Sequence, residues 1–98
     1  MLAPESRVLT VLLKTMPRKK QPALTIVYRK LGREKARGQY CEATATIELD
    51  ERLRGEEHLE VLLHESMHAL QPHHEESIVE RDAKNLATIL WAEGYRRV

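Results

Sequence analysis

"TATIELDERLRGEEHLEVLLHESMHAL" spans residues 44–70, and its reading decides the fold. In its first part Thr44, Thr46 and Glu48 alternate with Ala45, Ile47 and Leu49. That is the period of a strand with one buried and one wet face. From Gly55 the period changes. Leu59, Leu62, Leu63, Ser66 and Leu70 recur three and four residues apart, the core stripe of a helix that Pro72 ends. His64, Glu65 and His68 fall beside this stripe, so the strand leads directly into a helix carrying H-E-x-x-H.

Working outward, the strand extends back through "QYCEATATIELD", with Cys41, Ala43, Ala45, Ile47 and Leu49 on one side and Glu42, Thr44, Thr46 and Glu48 on the other. The β-branched run "ALTIVYRKL" predicts an earlier strand over 23–31, and Gly32 and Gly38 bracket a charged turn. Val8, Leu9, Leu12 and Leu13 stand at helical spacing and predict a first helix from Glu5 to Met16, with Pro4 and Ser6 at its start and Pro17 as its stop. "PRKKQP" is then a basic connector. After Pro72, a last helix from Glu75 to Glu93 buries Val79, Ala83, Leu86, Ala87 and Leu90, and Gly94 stops it. These elements predict one α+β domain over residues 1–98, with an N-terminal helix, a small antiparallel sheet, a motif-bearing helix and a C-terminal glutamate helix.

Composition limits the classes of function. With 42% hydrophobic and 32% charged residues the chain is globular, and no segment approaches the ~20 apolar residues of a membrane span. The N-terminal stretch is a poor secretory signal, because Glu5 comes early and no small-residue cleavage site follows. Cys41 is the single cysteine, which excludes an internal disulfide and suits a reducing compartment. A cytoplasmic protein is expected. The net charge of +1 hides an asymmetry: residues 14–37 hold nine Lys or Arg against Glu34 alone, a possible nucleic-acid contact or a solvated basic turn and strand edge.

The chemistry follows from the helix. Positions i and i+4 share a face, so His64 and His68 can aim imidazole nitrogens at one metal ion. Glu65 adjoins the first ligand and can take a proton from a zinc-bound water, then deliver it to a leaving amine. A catalytic zinc needs a third protein ligand. Glu76 and Glu80, four apart on the next helix, both look back at the motif helix; Glu76 is the expected ligand, with Glu80 orienting a histidine or taking the ligand role itself. His74 has the six-residue spacing of H-E-x-x-H-x-x-G-x-x-H, but Gln71 replaces the turn glycine, Pro72 follows it, and no Met comes after Met67. His73 and His74 are placed instead on a loop at the cleft rim, where His74 can help bind substrate.

Over residues 40–96 the sequence resembles very small zincin metallopeptidases of the gluzincin kind, the minigluzincins, and SprT-like and phage-encoded zincin-like proteins. The resemblance lies in the strand, turn and "L-x-x-L-L-H-E-x-x-H-A" helix, and in "EESIVERDAKNLATILWAEGYR", which is similar to their glutamate helix. It implies Zn2+ held by His64, His68 and a glutamate of the last helix, with Glu65 as base. It also implies that strand 40–49, with Thr44 and Thr46, borders the cleft and pairs with an extended peptide. A lone cysteine leaves no zinc ribbon of the SprT-like kind, so their DNA-linked role is not carried over. Tyr95, Arg96, His73 and His74 are candidates by chemistry for steadying an oxyanion or binding substrate.

The expectation is therefore a zinc-dependent metallopeptidase that hydrolyses peptide bonds through a zinc-bound water activated by Glu65. Little chain remains to shape a specificity pocket, so narrow specificity or low activity is expected. The competing reading is a zinc-binding, non-catalytic module that binds nucleic acid or a protein partner through residues 14–37.

Overall fold

The computed structural model describes residues 7–13, 23–32 and 37–97. They form β1 (Arg7–Leu12), β2 (Ala23–Arg29), β3 (Gly38–Cys41), β4 (Thr46–Asp50), α1 (Gly55–Leu70) and α2 (Glu76–Ala92). The class is α+β. The chain divides into two compact units, Met1–Glu51 with the strands and Arg52–Val98 with the helices.

In the strand unit the order is β1-β2-β4-β3. β1 runs antiparallel to β2, pairing Val8 with Val27, Leu9 with Ile26 and Val11 with Leu24. β2 and β4 run parallel, with Ile26 opposite Ile47 and Tyr28 opposite Leu49. Residues directly opposite share a face, so Leu24, Tyr28, Ile47 and Leu49, all buried, define the inner face. On the other face the guanidinium of Arg29 donates to both oxygens of Glu48, at 2.8 and 3.1 Å, and Gln39 donates to the same carboxylate.

Three features differ from what the sequence predicts. The stretch expected as a first helix forms β1 where it is described; Val8, Thr10 and Val11 are β-branched, and their pairing with β2 overrides a helical spacing that four apolar residues also satisfy by chance. The ends of that expected helix, and the connector after it, lie outside the described residues. The stretch read as one strand over 40–49 is a hairpin. Residues 42–45 turn the chain, Ala45 N–H donates to the Glu42 carbonyl at 3.2 Å, and Ala45 sits in the left-handed region at φ 50°. The hairpin sets Tyr40 opposite Ile47 and Cys41 opposite Thr46, so Cys41 lies on the face away from Ile47 and is exposed. Finally, the sheet is mixed rather than antiparallel. The chain leaves β2, reaches the outer edge as β3 and returns as β4 beside β2, so β2 and β4 point the same way.

In the helix unit, α1 and α2 form an antiparallel hairpin. A Cβ built on Gly55, at the start of α1, would lie 3.7 Å from the Trp91 ring near the end of α2. At the same end Thr88 Oγ1 donates to Glu56 at 3.4 Å. α2 buries Val79, Ala83 and Ala87, with Leu86 exposed and Leu90 half-buried. α1 buries His58, Val61 and Glu65, while Leu59, Leu62, Leu63 and Ser66 are half-buried and Leu70 is exposed. The buried stripe of α1 is thus rotated by about one residue, ~100°, from the leucine stripe, and Glu65 lies within it rather than beside it. Gly94, at φ 94°, closes α2: its N–H donates to the Trp91 carbonyl and that of Tyr95 to Leu90, each at 3.0 Å, a pattern favoured by a left-handed glycine. No helix among the described residues is long and apolar enough to cross a membrane.

Candidate metal centre

Helical geometry brings the two histidines together first. His64 and His68 lie one turn apart on α1, with ring centroids 4.9 Å apart and planes inclined at 61°. Five residues then reverse the chain. Gln71 N–H still reaches the Met67 carbonyl at 2.7 Å, but Pro72 has no N–H with which to continue the ladder. His74 N–H donates to the Gln71 carbonyl, and Glu75 opens α2 by accepting from Ile78 and Val79.

This short return sets Glu76, the first residue of α2, against the last turns of α1. Its Oε1 lies 2.7 Å from His64 Nε2, and its Oε2 lies 3.0 Å from His68 Nε2. One carboxylate thus addresses both imidazoles, one oxygen each. The candidate ligand atoms of His64, His68 and Glu76 all lie within 4.8 Å of one another. The histidine side chains are 20% and 26% exposed against 63% for Glu76, so the group is walled on the α1 side and open on the carboxylate side.

Glu65 differs from its neighbours. It is 8% exposed, and no hydrogen bond or ion pair of its carboxylate is found among the described residues. Burial pushes its carboxyl above the ordinary range; the charges of His64 and His68 pull it down, and that of Glu76 pushes it up again. No fully buried side-chain nitrogen or oxygen among the described residues lacks a partner. The unpartnered Glu65 carboxylate is therefore not wholly sealed from solvent.

Two imidazole nitrogens and one carboxylate, with an open side, are a donor set that could hold a metal ion such as zinc. The residues present fit such an ion on donor chemistry, and the buried Glu65 follows His64 directly on α1.

The remaining sequence candidates fall elsewhere. Glu80 is exposed and lies 3.8 Å from Lys84 Nζ, outside the group, where it orients neither histidine. His73 and His74 are exposed on the connection between the helices. Tyr95 and Arg96 follow the far end of α2, whose 17 residues span about 25 Å, so neither steadies charge at Glu76. Arg96 instead stacks on Trp91, 3.5 Å from the ring centroid, and donates to the Trp91 carbonyl. Thr44 and Thr46 belong to the strand unit, where Thr46 Oγ1 donates to the Thr44 carbonyl at 3.0 Å. Of the basic stretch, residues 14–22 and 33–36 lie outside the described residues, and Arg29 is engaged by Glu48. Sequence reading passed over His58, which is buried and 3.5 Å from Arg97 Nη1. Its signal was its position three residues before Val61 and seven before Glu65, on their face.

The chain matches no protein-family model, no curated protein and no solved structure.

Proposed function

We propose that this chain is a small zinc-dependent metallopeptidase, similar in kind to the minigluzincins. The observation that carries the reading is the convergence of His64, His68 and Glu76 beside the buried carboxylate of Glu65. In this reading His64 and His68 offer Nε2 and Glu76 a carboxylate oxygen to Zn2+. Bound zinc supplies a Lewis acid that makes water more acidic and polarises a carbonyl. Glu65 accepts the proton of the attacking water and returns it to the leaving amine. Its burial supports this role, since a desolvated carboxylate holds a proton more readily than an exposed one. The substrate class is an extended peptide, of narrow specificity because few residues remain to line a pocket. The free, exposed Cys41 supports a reducing, cytoplasmic setting.

The test begins with metal content by mass spectrometry on protein purified without added metal, beside His68→Ala. About one zinc per chain, lost in the variant, is expected. Peptide hydrolysis abolished by Glu65→Gln, with zinc retained, completes the case. Zinc without hydrolysis would reduce the protein to a non-catalytic metal-binding module. No zinc, even on titration, would remove the reading altogether.

A further inference from the structure

Outside the metal centre, the most unusual surface is β1. Among the described residues it is an edge strand, bonded to β2 on one side only. All six of its residues are exposed, and four are large and apolar: Val8 at 60%, Leu9 at 42%, Val11 at 38% and Leu12 at 61%. Soluble proteins usually guard such an edge with lysine, proline, a bulge or a covering loop. Here the described strand has only Arg7, at one end.

We propose that β1 pairs with β1 of a second copy of this chain, antiparallel about a two-fold axis through Thr10. The order of residues identifies the occupant. With Thr10 opposite Thr10, Val8 faces Leu12 and Leu9 faces Val11, so the strand V-L-T-V-L complements itself. Every apolar residue meets an apolar one, and the single polar residue meets its own copy, a favourable cross-strand pair. Residues of equal parity face each other in this register, so both strands keep the same faces of a continuous sheet. Arg7 stays outside the five paired positions, and no like charges oppose. The contact is isologous, which closes as a dimer and does not propagate. A foreign strand would have to bring its own matching apolar pattern, whereas a second copy carries it already.

One strand edge buries less than the ~800 Å² per partner of a standard interface, so the dimer is concentration-dependent. Sedimentation velocity on the whole chain, from about 1 μM to about 1 mM, reads it in the range where so small an interface associates. A monomer–dimer equilibrium is expected. Thr10→Lys sets two ammonium groups face to face and raises the dissociation constant about tenfold or more; Thr10→Glu does the same with carboxylates. An equimolar mixture of the two restores the dimer, a rescue that a merely misfolded variant cannot give. The proposal is overturned by a monomer at every concentration, by a dimer insensitive to Thr10→Lys, or by a mixture that stays monomeric. Capture of an unrelated apolar peptide by a chain that remains monomeric would overturn it as well.

Discussion

At the scale of single residues the centre turns on Glu76. Its two oxygens each meet one histidine, and Glu76→Gln replaces one of them with an amide nitrogen and removes the negative charge of the donor. Loss of an outer partner of a metal ligand typically weakens binding by ~10–100-fold, and Glu76→Gln is expected to cost at least about 100-fold in zinc affinity. Glu80→Gln is expected to change it little, because Glu80 lies outside the group. Competition with a chromophoric chelator measures both, and equal losses would contradict the assignment. Glu65 supplies a second test. Its carboxylate is buried without a partner, so Glu65→Gln relieves a desolvated charge. The chelator-treated variant is expected to melt no lower than the chelator-treated parent at neutral pH. A clear fall in Tm would mean that the carboxylate stabilises the fold and is not held at a cost.

At the scale of elements, the β3–β4 hairpin and the Arg29–Glu48 pair are open to measurement. Ala45 adopts φ 50° where glycine is the ordinary choice, a strain of about 1–2 kcal/mol for an L residue. Glycine lowers that strain but loses more backbone entropy on folding. Ala45→Gly is therefore expected to stabilise by about 0.5–1 kcal/mol in urea melts. Glu48 has its carboxyl lowered, first by the hydrogen bond from Arg29 and then by that from Gln39. A depressed carboxyl contributes stability above its unfolded pKa and loses it as pH falls through the folded value. Arg29→Ala should thus destabilise at pH 7, and the gap to the parent should close in acid. Both partners are partly exposed, so the effect is about 0.2–1 kcal/mol.

These elements also explain what could be read from the sequence. α1 and α2 were legible because a 3.6-residue period, Pro72 and Gly94 are local signals that no distant contact overturns. The hairpin was not, because its turn is made of Glu42, Ala43, Thr44 and Ala45 with no glycine or proline, and the alternation runs on through it. β1 was misread for a related reason. A strand exposed on both faces needs no alternation, and Val8, Leu9, Leu12 and Leu13 then mimic a helical stripe. The motif histidines and Glu76 were visible as spacing. The rotation that buries Glu65 was not, because the leucines of α1 form the more apolar stripe while the face that is buried carries His58 and Glu65.

At the scale of the whole molecule, the two units differ in how far apart in sequence their contacts lie. The strand unit closes on non-local pairings: Thr25 meets Thr46 across a parallel ladder, and the outermost strand, β3, sits between the two in sequence. The helix unit is a hairpin with a five-residue link, and everything proposed to hold the ion lies between His64 and Glu76. Thirteen consecutive residues therefore carry the whole donor set. Closing so short a loop costs little chain entropy, and local contacts form early in folding. In the proposed reading, metal capture then belongs to the opening moves of folding, at the point where one helix turns back on another.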